Sequence, residues 1–140
     1  MHRDFEITNG ICLSQPPHEL DLHNDFDFHD LHYLVEDRTV KLYWRRSLGE
    51  WVRAGTPTAV CIEFVGVSEF RVHRRDPKLP FTEDSCVRAI GFWTDEDWAD
   101  GAMVIEPAQT PDPSWRIVID FMSGAAAIIQ AESAHAQIEG

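Results

Sequence analysis

Apolar and polar side chains alternate over short segments in many parts of this chain. The clearest case is residues 115–122, where Trp115, Ile117, Ile119 and Phe121 alternate with Arg116, Val118 and Asp120. Successive side chains of a β-strand point to opposite faces, so this pattern is typical of a strand with one buried face. Such a strand must pair with others to bury that face, and the chain is therefore expected to form a sheet.

Further strands are predicted where β-branched and aromatic residues are frequent. They cover residues 31–35, 40–45, 58–67, 69–74 and 85–93. A short hairpin is predicted over residues 5–13 around Asn9-Gly10, a favoured hairpin turn pair. Residues 58–67 are almost wholly apolar, which predicts a central strand covered on both faces. Gly66 within it predicts a bulge or a close approach of another chain segment.

Residues 125–138 give an ambiguous signal. The alanines favour a helix. The segment follows a strand through the turn dipeptide Ser123-Gly124, however, and its side chains again alternate. We therefore predict a strand here and keep the helix as the alternative.

Seven or eight short strands with short connections predict antiparallel pairing. The expected fold class is mainly β, or α+β with little helix, arranged as a curved antiparallel sheet or a sandwich. One domain over residues 1–140 is expected from the length, with residues 1–27 as a separate acidic, histidine-rich lead segment within it.

The charge of the chain is strongly negative. It holds 12 Lys and Arg against 24 Asp and Glu, a formal net charge of −12. This balance disfavours nucleic acid and anionic membranes as partners, because both are bound mainly through Lys and Arg. Residues 18–37 and 94–113 contain seven and six acids with no Lys or Arg. The net charge is therefore concentrated in two segments.

Two interpretations of the acidic segments remain open. They are either solvated loops that keep the protein soluble or a docking surface for a basic protein, whose association complementary charge would accelerate. Nucleases are often basic because their substrate is a polyanion. The predicted partner-binding residues are Asp21, Asp25, Asp27, Asp30, Asp95, Glu96, Asp97 and Asp100, with Trp98 as an aromatic anchor.

Residues 18–32 hold four histidines and five acids, which raises a second function. In an extended chain many of these side chains would share one face and could present nitrogen and oxygen ligands to zinc, manganese or iron. The alternative is therefore a metal-binding protein or metal-dependent enzyme. Its predicted ligands are His23, Asp25, Asp27, His29 and His32.

Other motifs of catalysis are lacking in the sequence. It contains no Gly-x-Ser-x-Gly, no phosphate-binding glycine loop and no His-Glu-x-x-His. No catalytic residue is predicted, and no cofactor is expected beyond the metal of the alternative. A non-catalytic protein is favoured over an enzyme.

The cysteines and the N-terminal sequence bear on the compartment. Cys12, Cys61 and Cys86 are odd in number and widely spaced, which favours buried, inert thiols over a disulfide framework. No apolar stretch typical of a secretory signal or a membrane span is present. A cytoplasmic location is expected.

A third interpretation of the function is a structural or homo-oligomeric domain whose strands pair edge to edge.

Several fragments resemble parts of small β-rich bacterial immunity-type proteins of toxin–immunity systems. These are Phe28-His29-Asp30 at the start of a hairpin, Ile62-Glu63-Phe64-Val65-Gly66-Val67, Ile119-Asp120-Phe121, the Ser123-Gly124 turn and residues 128–134. The resemblance covers residues 28–138 and does not extend to residues 1–27. It implies a small cytoplasmic protein that neutralises a cognate toxin and has no catalytic residues.

Overall fold

The computed structural model describes residues 1–93 and 112–140. Within these ranges the chain forms twelve strands and one short 3-10 helix. The strands of the first half are β1 His2–Arg3, β2 Glu6–Thr8, β3 Cys12–Gln15, β4 His18–Asp21, β5 Phe26–Leu34 and β6 Thr39–Arg46. Those of the second half are β7 Ala59–Val65, β8 Glu69–His73, β9 Val87–Trp93, β10 Arg116–Phe121, β11 Ala126–Gln130 and β12 Ser133–Glu139. The 3-10 helix is Phe81–Ser85. The predicted mainly β fold class is confirmed.

The strands form three sheets. The first has the order β1-β12-β7-β6-β5, the second β8-β11-β10-β9 and the third β2-β3-β4. Neighbouring strands are antiparallel, except that β1 runs parallel to β12. The hairpin expected over residues 31–45 is the β5–β6 pair. The short N-terminal hairpin is also confirmed, and Asn9 and Gly10 have the positive φ angles, 53° and 69°, that such a turn needs.

One large apolar core contains side chains from all three sheets. Trp44 of β6, Phe64 of β7 and Ile119 of β10 are fully buried in it. Residues 1–27 take part as well, since Leu13 and Leu22 belong to the same core. The alternation of β6 explains its contribution, because every second side chain points inward. A smaller cluster on the opposite face of the second sheet contains Trp93, Val118, Ala126 and Ile128.

The structure corrects three details of the strand predictions. One face of β7 is buried, whereas Cys61 and Glu63 on its other face are only half-buried, so the expected cover on both faces is wrong. Residues 125–138 are extended, as predicted, but form two strands in different sheets. Twelve strands replace the expected seven or eight, partly because β1 and β4, with two and four residues, are too short for a periodic signal.

Gly66 marks a close approach, as expected. Its φ angle is +70°, and a Cβ atom placed there would lie 2.7 Å from the carboxyl group of Glu132. Glycine alone adopts this conformation readily and leaves the space empty. Within the described residues, no helix has the length and apolar character needed to cross a membrane.

Candidate functional site

The acidic and histidine-rich stretch of the sequence leads into β5, the last strand of the first sheet. On one side β5 pairs with β6, and on its other side no strand of the described part of the chain pairs with it. Residues 29–34 of this strand are all exposed or half-buried. We call this segment the open edge. An unpaired edge presents backbone N–H and C=O groups to which another chain can bind.

A bulge at His29 reverses the alternation of β5. Phe28 lies opposite Trp44, whereas the next paired residue, Asp30, lies opposite Tyr43. An extra residue in one strand shifts every later side chain to the other face. Beyond the bulge, Asp30 therefore lies on the outer face of the sheet and Leu31 on the face that looks toward the second sheet.

The outer face of the open edge is polar. The Nε2 atom of His32 lies 2.9 Å from Oδ2 of Asp30, and its ring lies 5.1 Å from the ring of Tyr43. Both His32 and Asp30 have about half of their side-chain surface exposed. The Asp30 carboxylate is thus held in place at the surface and remains accessible to a partner.

Some backbone N–H and C=O groups of the open edge point away from β6. The N–H of Leu31 donates to Oδ1 of its neighbour Asp30 at 2.8 Å. Alternate residues of an antiparallel strand direct their backbone groups to the same side. The backbone groups of Leu31 and Tyr33 therefore both point away from β6, toward the unpaired side.

An apolar groove lies between the open edge and β8, the end strand of the second sheet. Its lining side chains are Phe28, Leu31, Val72, Phe121, Ala125 and Ala127, and its volume is about 160 Å³. Tyr33 of the open edge contacts Phe70 of β8, with ring centroids 5.1 Å apart. Val72 remains 62% exposed. The two sheets thus leave apolar surface uncovered on their open side.

Asp84 of the 3-10 helix also lines the groove. A hydrogen bond from Ser123 and the guanidinium of Arg75, 3.0 Å away, lower the pKa of the Asp84 carboxyl group. Asp84 is therefore a carboxylate at neutral pH. Because Arg75 already pairs with it, Asp84 adds little net charge to the groove.

Two of the acids predicted to bind a partner make contacts within the chain. Asp25 is buried, and its Oδ2 accepts a hydrogen bond from Nε of Arg53 at 2.8 Å. Oδ1 of Asp21 accepts from the N–H groups of His23 and Asn24, which closes the turn between β4 and β5. Neither carboxylate is placed like Asp30, whose carboxylate is half exposed on the outer face.

The five predicted metal ligands do not converge. Among residues 1–93 and 112–140, no group of three or more His, Cys, Asp or Glu side chains is arranged to hold a metal ion. Asp25 is turned inward to Arg53 and His23 lies against the carbonyl of Val87, whereas His29 and His32 both lie near the ring of Tyr43. The expected single row of ligands therefore does not form.

Cys86 and His23 lie close together, with Sγ and Nδ1 3.6 Å apart, and merit comparison with a catalytic pair. The same Nδ1 atom lies within hydrogen-bond distance of the Val87 carbonyl, which can only accept. That nitrogen therefore carries the proton and cannot take one from the thiol. Burial and the nearby acids Glu83 and Asp27 raise the pKa of the Cys86 thiol. A nucleophilic cysteine needs the opposite shift.

The second acidic segment is outside the described residues. This applies to the predicted binding residues Asp95, Glu96, Asp97, Trp98 and Asp100. Asp27 is described, and it is half-buried and lies opposite Arg45. His29 is exposed, with its ring 6.1 Å from that of Tyr43.

The sequence interpretation missed the apolar part of the site. Val72 belongs to the predicted strand over residues 69–74, and nothing in the alternating pattern of that strand shows that the face of Val72 stays uncovered. Phe81, 81% exposed on the 3-10 helix, and Trp51, 68% exposed beside Asn24, are further exposed aromatic residues that do not line the groove. An aromatic residue among Gly, Pro and charged residues, as in residues 48–57, is the signal that could have identified Trp51.

Comparison of the chain with protein-family models, with curated proteins and with solved structures gives no significant match.

Proposed function

We propose that this protein is a non-catalytic binding protein whose open edge docks a basic protein partner, as an immunity-type inhibitor docks a nuclease-like toxin. The observation that carries the proposal is an acidic outer strand whose second side is unpaired in the described structure. The fragments that resemble immunity-type proteins support the same class.

The charge around the open edge supports a basic partner. From Asp27 to Asp37 the chain carries four acids, Asp27, Asp30, Glu36 and Asp37, and neither Lys nor Arg. Among these, Glu36 and Asp37 are exposed in the turn after β5. Opposite charge on a partner increases the rate of association and disfavours partners of the wrong sign. The net charge of −12 acts in the same direction at longer range.

The experiment is affinity capture with matched charge-reversal variants. Asp30→Lys changes the charge of the open edge, whereas Glu50→Lys makes the same change at an exposed residue of the loop between β6 and β7. We expect wild type and Glu50→Lys to retain a basic protein that Asp30→Lys does not. Thermal melting of both variants checks that they are folded.

The captured protein is then purified and assayed directly for cleavage of RNA and DNA. Inhibition by the wild-type protein, with an association rate that falls as salt rises, is the expected result. A captured protein that Asp30→Lys binds and inhibits equally well would contradict the proposal. So would a captured protein whose activity the wild type leaves unchanged.

A further inference from the structure

We infer that the partner binds by strand addition: an extended basic and apolar segment pairs with the open edge as a sixth strand of the first sheet and covers the apolar groove. The inference rests on the proposed function and specifies its binding mode. Three features of the structure carry it, namely the backbone of the open edge, the groove beside it, and the charge on its outer face.

The backbone supplies the pairing groups. Leu31 and Tyr33 direct their N–H and C=O groups away from β6. The Leu31 N–H already donates to Oδ1 of Asp30, so a partner strand would displace that contact to use it. Main-chain hydrogen bonds of this kind provide the affinity in strand addition, and alternate side chains provide the specificity. The exposed segment of six residues is about 20 Å long at 3.3 Å per residue. It therefore accommodates an extended partner segment of about six residues.

The groove determines one face of the partner segment. Leu31 and Tyr33 lie on the inner face of the open edge. Leu31 lines the groove together with Val72 of β8, and Tyr33 contacts Phe70 of β8. A strand added beside β5 would direct every second side chain into this space. Val72 is 62% exposed and would be covered by such side chains. Apolar side chains are favoured there because they would remove apolar surface on both partners from water.

The outer face of the open edge determines the remaining side chains of the partner segment, which alternate with the apolar ones. These side chains would lie beside Asp30 and His32, and near Glu36 and Asp37 where β5 ends. Opposite charges on neighbouring strands stabilise a pair, whereas like charges destabilise it. The partner segment is therefore expected to alternate apolar residues with Lys or Arg.

A second copy of this chain fits the open edge less well. Two β5 strands paired edge to edge would bring the Asp30 carboxylates of both copies to one edge, on molecules that each carry a net charge of −12. The charge therefore favours a basic segment over self-association.

The experiment uses a defined peptide, so that it does not depend on identifying the natural partner. The probe is an eight-residue peptide of alternating Lys and Val, capped at both ends and labelled for fluorescence anisotropy. The control peptide has the same composition in the order Lys-Lys-Val-Val, repeated. It has the same charge and apolar content but cannot place all its valines on one face of a strand.

Matched protein variants locate the binding. Val72→Lys places a charge in the groove, and Leu48→Lys adds the same charge at a fully exposed leucine in the loop after β6. We expect the alternating peptide to bind wild type and Leu48→Lys at least about tenfold more tightly than it binds Val72→Lys. Amide hydrogen exchange followed by NMR should show protection of the Tyr33 N–H in the presence of the peptide.

Each other outcome overturns the inference. Equal binding of the two peptides would mean attraction by charge alone, which contradicts strand addition but leaves the proposed function intact. Absence of binding by either peptide, or protection at residues away from the open edge, would also refute it. Sedimentation that shows a dimer blocked by Val72→Lys would identify a second copy as the occupant. Failure of the proposed function is read separately, from the capture experiment with Asp30→Lys and Glu50→Lys.

Discussion

The ion pair of Asp25 and Arg53 allows a prediction about the free energy of unfolding, which tests whether Asp25 stabilises the fold. The Asp25 side chain is 4% exposed, whereas that of Arg53 is 61% exposed. Removing Arg53 leaves a buried carboxylate without its cation. Removing the charge of Asp25 leaves a guanidinium that water can solvate. The two substitutions should therefore have unequal effects.

The size of the effect follows from the hydrogen bond and the burial. A hydrogen bond to a charged group contributes about 1.5–3 kcal/mol, and an unpaired buried charge adds to the loss. We expect Arg53→Ala to lower the free energy of unfolding by about 2.5 kcal/mol and Asp25→Asn by about 1 kcal/mol. For 140 residues the unfolding entropy is about 0.3 kcal/mol per kelvin, so Arg53→Ala should lower Tm by about 8 °C.

The assay is urea unfolding at pH 7 followed by tryptophan fluorescence. The double variant Asp25→Asn/Arg53→Ala should be more stable than Arg53→Ala alone, because the buried group is then neutral. Arg45→Ala is the control, since Arg45 is exposed and opposite Asp27, and it should change stability by less than about 0.5 kcal/mol. A double variant at least as unstable as Arg53→Ala would refute the reasoning.

Three further predictions concern the core, a turn and the pH dependence. Trp44 is fully buried, so Trp44→Ala should cost about 3–5 kcal/mol in urea unfolding, and a loss below about 1 kcal/mol would contradict its place in the core. Gly66→Ala should cost about 1–2 kcal/mol because of its φ of +70°, and Glu132→Ala in the same chain should recover only the part due to the side-chain clash. Burial raises the pKa of Glu69, but hydrogen bonds from Arg116 and Arg71 lower it by a larger amount, so that the pKa lies below the ordinary value of 4.5. Its contribution is therefore present above pH 4.5 and lost as pH falls through the folded-state pKa, so unfolding free energies of Glu69→Gln should depend less on pH below 4.5 than those of wild type.

Local pattern was sufficient to predict most of the longer strands. Strands β6 to β10 and the second half of β5 lie where alternation or β-branched residues occur, because a half-buried strand imposes period two on its sequence. The first half of β5 was not predicted as a strand. The Asn9-Gly10 turn was predictable for a similar reason, since few residues accept positive φ. By contrast, β1 has two residues and pairs with β12 at the far end of the chain, so no local pattern could reveal it.

The candidate site was only partly predictable. The acids and histidines of residues 18–32 stood out by composition, but composition does not show in which direction each side chain points. One extra residue at His29 changed which side chains share a face, and Asp25 turned inward to meet Arg53. The predicted row of metal ligands assumed one extended chain, whereas Asp25 and His23 contact Arg53 and Val87 from other parts of the chain.

What the sequence by itself determined is the fold class, the positions of the main strands and the sign of the charge, because each depends on neighbouring residues or on simple counting. Only the tertiary structure decided which strand ends a sheet and which apolar residues stay uncovered. These properties depend on pairings between distant segments, such as β8 with β11, and on the space left between two sheets. The open edge and its groove are therefore features that only the tertiary structure decides, because a strand lies at an edge only if no other segment pairs with its second side.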